Sequence, residues 1–228
     1  MAEINKLDSG VLLVEAESDR GLFEQIFKTL PLKPKIQVAC PRDLNPKSKN
    51  GKQAVLNLTA ILLKQIADAA TAEPSRLAVI LDADYATEGG LGFSKTLKQF
   101  AEKVGNHGYV LVGDVIDNGL IFRHSEDLPD IGLWVMPNNN SDGMLEDWLK
   151  ACVHNNEQTL FNHAQTVVAA LEPKKFKPIH QTKAEVASWL AWQDEPGHGL
   201  YQAQRGGLLD ESKPLYNQLI TWLTKIYV

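Results

Sequence analysis

Leu77-Ala78-Val79-Ile80-Leu81-Asp82-Ala83-Asp84 is an apolar run that ends in two acids separated by one alanine. A run with no polar residue on either alternating face is the pattern of a strand covered on both sides, as in a parallel sheet. Upstream, Gly10-Val11-Leu12-Leu13-Val14-Glu15 has the same character and also ends in acid, followed by Ala16-Glu17-Ser18-Asp19. Ser18 or Asp19 can cap a helix in which Leu22, Phe23, Ile26, Phe27 and Leu30 recur at helical spacing before Pro31 stops it. Ile36 to Cys40 reads as a further strand and Pro41 to Gly51 as a polar loop. Lys52 to Ala70 then reads as a helix with a broad apolar face of Val55, Leu56, Leu58, Ile61, Leu62, Leu63 and Ile66.

Beyond the acidic pair, Glu88-Gly89-Gly90-Leu91-Gly92 predicts a turn, and Phe93, Leu97, Phe100 and Val104 a helix. Strands are expected around Leu120–Phe122 and Ile131–Met136. The loop Pro137 to Gly143 then opens a helix at Met144-Leu145-Glu146-Asp147. From Glu157 onward the chain reads mostly helical, including Ala184–Trp192 and Leu215–Ile226. Strands alternating with helices, then mainly helices, predict an α/β, Rossmann-like fold: a mostly parallel sheet flanked by helices, with a helical C-terminal elaboration. The expected division is 1–155 for the sheet-bearing domain and 156–228 for a helical extension packed on it. Ligands of such sheets sit beyond the carboxyl ends of the strands, where Glu15 and the Asp82/Asp84 pair both fall.

Composition sets limits on function. With 228 residues and 44% hydrophobic content the chain can bury one sizeable core. Cys40 and Cys152 lie far apart without metal-site spacing, which argues against a disulfide framework or a structural zinc and favours a reducing cytoplasm. The run Val11–Val14 is too short for a signal-peptide core or a membrane span, so no membrane association is expected. A formal net charge of -5 argues against holding DNA or RNA by general phosphate attraction, so nucleic-acid contact must be local and weak for the chain alone. Basic residues gather at Lys33, Lys35, Arg42, Lys47, Lys49 and Lys52, and again at Lys174, Lys175, Lys177 and Lys183. Solvated loops are the ordinary reading of both groups.

Several carboxylates drawn together repel one another and lose hydration unless a cation or protons compensate. Mg²⁺ resolves the conflict with oxygen ligands, usually one or two protein carboxylates plus waters and substrate phosphates. Asp82 and Asp84 would point the same way if their strand persists, with Glu15 and Asp19 facing the same crevice. That leaves room for one metal, or for two in the bridged arrangement used in phosphoryl transfer. Each element has an ordinary alternative: a helix cap for Asp19, and for Glu146 and Asp147 simple attraction to the positive end of a helix.

An apolar strand followed by Val14-Glu15-Ala16-Glu17-Ser18-Asp19, then an apolar strand followed by Asp82-Ala83-Asp84, resembles the TOPRIM domain of topoisomerases, DnaG-type primases, OLD-family nucleases and ribosomal-RNA maturases. Met136 to Asp147, together with Trp189-Leu190-Ala191-Trp192-Gln193 and Pro196-Gly197, resembles a family of small stand-alone TOPRIM-related proteins of unknown function. The resemblance implies a TOPRIM-like domain over 1–155. It implies Glu15 as catalytic acid or base, and Asp82 and Asp84 as ligands of Mg²⁺ or Mn²⁺. Asp19 and Glu146, the latter in a segment similar to GxLED, would serve a second cation, and Lys47, Lys49 or Lys52 would contact a nucleic-acid backbone. The implied activity is an OLD-like, metal-dependent nuclease (hydrolase) acting on DNA or RNA. The alternative is a non-catalytic metal-binding regulatory or effector module of an ABC-type ATPase partner, since proteins resembling this chain often accompany such ATPases. The family's usual glycine after the glutamate is Ala16 here, which keeps the turn if its φ is negative. No topoisomerase-type tyrosine nucleophile motif accompanies these segments.

Other motifs read as structural. Glu88 to Gly92 lacks the GK[ST] ending of a phosphate loop. The six histidines contain no HxxxH pair, and Trp189, Trp192, Trp222 and Tyr227 at helical spacings read as core. Gly197 to Gly207 carries no motif to which a role attaches.

Overall fold

The computed structural model describes residues 10–31, 35–68, 75–112 and 119–228. Its strands are β1 (Gly10–Leu13), β2 (Ile36–Ala39), β3 (Arg76–Asp82), β4 (Tyr109–Leu111), β5 (Leu120–His124) and β6 (Ile131–Met136). Its α-helices are α1 (Glu17–Thr29), α2 (Pro41–Leu44), α3 (Lys52–Ala67), α4 (Gly92–Gly105), α5 (Leu145–Cys152), α6 (Gln158–Ala170), α7 (Gln181–Ala191), α8 (Tyr201–Arg205) and α9 (Pro214–Tyr227). The strands form one six-stranded sheet in the order β2-β1-β3-β6-β5-β4. β2, β1, β3 and β6 run parallel, whereas β5 and β4 join antiparallel at the far edge. The fold is therefore α/β, with a mostly parallel mixed sheet flanked by helices.

The continuous apolar runs of β1 and β3 follow from burial on both faces. Leu12, Val14, Ala78 and Ile80 pack toward one side with Leu22, Phe23 and Ile26 of α1 and with Trp148, Trp189 and Trp222 from α5, α7 and α9. Val11, Leu13, Leu77, Val79 and Leu81 pack toward the other with Leu58 and Leu62 of α3 and Phe100 and Val104 of α4. Each fully buried Leu, Val or Phe side chain contributes about 1.5–3 kcal/mol of transfer free energy.

Residues beyond 155 help build the first of these layers. Trp222 lies against Gly119 and Gly132, where an added Cβ would fall 1.8 Å and 2.8 Å from its ring. The Tyr227 hydroxyl donates to the Val11 carbonyl at 2.7 Å, and its ring meets Phe27 edge-on. α9 thus closes one face of the sheet over its first strand.

Three local readings change. Pro41 to Gly51 is not loop throughout, because Pro41 opens the single turn α2 and the Asp43 carboxylate accepts from the Cys40 N–H at 2.8 Å. The helix expected to reach Ala70 ends at Ala67, with Asp68 already extended; positions 69 and 70 lie outside the described residues. The edge strand β4 was not expected, since Val110 and Leu111 are exposed and leave no burial pattern. No helix among the described residues is long and apolar enough to cross a membrane.

Candidate functional site

Parallel register brings the ends of the central strands together, with Leu13 opposite Val79 and Asp82 opposite Met136. Glu15 follows β1, Asp82 is the last residue of β3, and the loop after β6 leads into α5. The Glu15 carboxylate accepts from the Asp82 N–H through Oε1 at 2.9 Å and so spans the two strand ends. Asp82 in turn accepts through Oδ1 from the N–H of Leu145, the first residue of α5, at 2.8 Å. A helix N-terminus has free donors and partial positive charge, which suits a carboxylate held there.

β3 ends at Asp82, so the two aspartates do not continue one strand. Asp84 has φ +61° and pairs its backbone with Gly143, at 2.8 Å and 3.2 Å. Its carboxylate receives the Lys52 ammonium at 2.6 Å, where the lysine is 12% exposed. Lys52 also lies 3.4 Å from the Ala83 carbonyl and 3.4 Å from the Thr96 hydroxyl. The turn at Glu88–Gly92 covers Asp84 so closely that a Cβ on Gly90 would come within 2.5 Å of the Asp84 Cβ. Glycine is required there by space. The turn is fastened by Asp142, whose carboxylate accepts from the Ala86 and Phe93 N–H groups at 3.0 Å and 2.8 Å. These two bonds hold the Asp142 pKa below the usual carboxylate range.

Asp19 caps α1, accepting from the Ala16 N–H at 3.0 Å and the Ser18 hydroxyl at 2.9 Å. Ala16 itself sits at φ −141°, ordinary extended backbone, so alanine at this position introduces no strain. In α5 the two acids separate. Asp147 caps, accepting from the Met144 N–H at 2.8 Å and from the Thr182 hydroxyl at 3.0 Å. Glu146, only 7% exposed, receives the ammonium of Lys183 from α7 on Oε1 at 3.2 Å, while its Oε2 is buried without a hydrogen-bond partner.

These groups share one electrostatic field. Burial raises the Asp82 pKa well above the ordinary value, and Glu15, Asp19 and Glu146 raise it further. Burial lifts Glu15 to about 7 against the opposing pull of Lys52. Asp19 is raised by burial and, more weakly, by Glu146. Burial alone would lower the Lys183 pKa, but Glu146, Asp82 and Asp19 outweigh it, and the ammonium is stabilised.

The structure thus brings Glu15, Asp19, Asp82 and Glu146 to one crevice, with Asp84 beside it. Among the described residues, no three His, Cys, Asp or Glu side chains already stand as a metal cage. Lys52 holds Asp84, Lys183 holds Glu146, and Ala16 and Ser18 take both oxygens of Asp19. Lys47 and Lys49 are exposed on the loop before α3. Lys52, grouped with them in sequence, instead lies in the ion pair with Asp84. Lys183, one of the later basic group, is likewise drawn into the site. Neither pairing has a local sequence signal, because the partners are 32 and 37 residues apart.

Beside Glu146 and Lys183 lies a cleft of about 390 Å³, walled also by Ser18, Leu190, His198 and Leu200. The segment Gly197–Gly207 supplies that wall: Gly197 turns at φ +91°, His198 meets the Tyr201 hydroxyl at 2.6 Å, and Tyr201 packs against Gly21 of α1. Trp189, Trp222 and Tyr227 are buried as expected of core residues. Trp192 is the exception, 39% exposed with its ring against His163.

Fold and site together define an α/β protein with an acidic crevice at the carboxyl end of its parallel strands. The chain belongs to the family described as protein of unknown function (DUF3226), which it matches over residues 9–228. No curated protein and no solved structure matches it.

Proposed function

We propose that the crevice binds a divalent cation, Mg²⁺ or Mn²⁺, and that the protein is a phosphoryl-transfer enzyme cleaving phosphodiesters of DNA or RNA. The carrying observation is Glu146 Oε2, a buried carboxylate oxygen with no partner, in the electrostatic field of Asp82. A buried charged oxygen without a donor is costly, and a cation beside it removes the penalty. Glu15 Oε2 and Asp82 Oδ2 also accept no hydrogen bond among the described residues, since each carboxylate bonds through its other oxygen. An all-oxygen donor set of this kind fits a hard cation. When bound, such an ion polarises a phosphoryl oxygen and lowers the pKa of an attacking water.

The chain's own groups divide the remaining work. Glu15, with a pKa of about 7, is matched to accepting a proton from the attacking water near neutrality. The Asp82 N–H fixes its orientation. Lys183, which lines the 390 Å³ cleft, offers positive charge to a phosphate oxygen. Lys47 and Lys49 are free to meet the flanking backbone, and a net charge of -5 makes that contact weak and salt-sensitive. The order of acids after β1 and β3, with Glu146 in α5, favours a TOPRIM-like domain and an OLD-like nuclease.

The test is cleavage of labelled single- and double-stranded DNA and RNA with Mg²⁺ or Mn²⁺, for the wild type and Glu15→Gln. Cleavage by the wild type that disappears in Glu15→Gln is expected. Metal binding without cleavage, even with a co-purifying ABC-type ATPase, would instead assign a metal-binding regulatory module. Absence of metal binding would remove the proposal.

A further inference from the structure

We infer that Lys52 is a resident counter-ion occupying one of the two cation positions of the crevice, so that the protein takes a single divalent ion. The inference rests on the metal-site reading above and goes beyond it by setting the number of metals and the side on which the ion binds.

Lys52 is built into the site. It is the first residue of α3, directly after Gly51, which turns at φ +113°. The Gly51 N–H donates to the Glu15 carbonyl at 2.9 Å, so the start of α3 is tied to the strand end that carries Glu15. From there the lysine reaches three oxygens: Asp84 Oδ2 at 2.6 Å, and the Ala83 carbonyl and the Thr96 hydroxyl, each at 3.4 Å. Thr96 is itself buried and presents its hydroxyl to the same carbonyl. An ammonium has three N–H donors and no acceptor, and these three oxygens match them.

Such a nest of oxygens is what a second metal would need. In two-metal phosphoryl-transfer sites the ions stand about 3.5–4 Å apart and share bridging carboxylates. Here the Asp84 side is already neutralised by a charge that is covalently tethered, and so present at high effective concentration without dehydrating a metal ion. A divalent ion at Asp84 would have to displace the ammonium into the protein beside it, where it would lose its acceptors. On Glu15, Asp82 and Glu146, by contrast, one oxygen each is left without a hydrogen bond among the described residues. Lys183 takes only Oε1 of Glu146. The single ion is therefore held by Asp82 and Glu146, with Glu15 beside it left to act as base, and Lys52 supplies the positive charge that a second ion would bring elsewhere.

Crystals soaked in Mn²⁺ and measured for anomalous scattering test this directly, with Mn²⁺ electron paramagnetic resonance counting bound ions in solution. The wild type is expected to show one ion per chain, held by Asp82 and Glu146 beside Glu15, and none ligated by Asp84. Lys52→Gln should admit a second ion at Asp84, whereas Lys52→Arg, which keeps the charge, should hold the count at one. Two ions in the wild type, with Asp84 as a ligand, would overturn the inference whether or not the variants fold. So would a single ion in a folded Lys52→Gln. No bound Mn²⁺ in any of the three would remove the metal-site reading and this inference with it, a result distinct from a wrong count.

Discussion

Replacing Glu15 by Gln should stabilise the metal-free protein at alkaline pH and leave it almost unchanged at acid pH. The carboxyl pKa is 4.5 in an unfolded chain and about 7 in the folded protein, because burial outweighs the help of Lys52. That rise corresponds to about 3 kcal/mol of folding free energy lost once the group is ionised in both states. Between those two values the folded protein binds a proton that the unfolded chain has released, so stability increases as pH falls through the window. Below it both states are protonated and the difference vanishes. Glutamine keeps the oxygen that accepts from the Asp82 N–H but carries no charge. The variant should therefore gain about 1–3 kcal/mol at about pH 8 and little at about pH 5, the attraction to Lys52 being already contained in the folded value. For a chain of this length the gain is roughly 3–10 °C in Tm. Urea unfolding in EDTA at the two pH values measures it. Destabilisation at the higher pH, or a gain independent of pH, would refute the claim that Glu15 is a strained, buried acid.

The neighbouring aspartate should behave in the opposite way. Asp84→Asn leaves the Lys52 ammonium without its 2.6 Å partner, and denaturant titration without metal should show a loss of about 1–2 kcal/mol. Gly119→Ala drives a Cβ to 1.8 Å from the Trp222 ring, which should lower stability by about 1–3 kcal/mol as read from thermal unfolding. Burial pushes the Cys152 thiol up to about 12 and raises Cys40 as well. Both should stay unreactive toward a thiol reagent at neutral pH until the protein unfolds, and rapid labelling of the native chain would contradict this.

What could be read in the sequence depended on whether one segment carried the whole signal. β1 and β3 were legible because burial on both faces writes an unbroken apolar run, and because the acid at each end stands directly after it. β4 was not, since a three-residue edge strand with Val110 and Leu111 exposed is specified by its pairing with β5. Within the site, the positions of Glu15 and Asp82 followed from strand ends alone. The divergence of Asp84 did not, because it depends on a left-handed backbone held by Gly143, which arrives from another loop. Lys52 and Lys183 looked like solvated charge in their local runs, and only the packing of α3 and α7 turns them inward. Gly197–Gly207 was opaque for the same reason: it forms a cleft wall, and a wall is defined by what stands opposite.

The clasp between the Asp84 turn and the loop before α5 has a consequence for motion. The Asp84–Gly143 backbone pair and the two bonds from Asp142 join segments 84–93 and 137–147 at four points. Two loops joined so closely open as one cooperative unit, and amide protons on both should exchange with solvent at a common rate. An ion gripped by Asp82 and Glu146 would brace one side of that unit through α5. Its arrival would then be felt in the slowed exchange of Ala86 and Phe93, amides that touch none of the acids proposed to hold it.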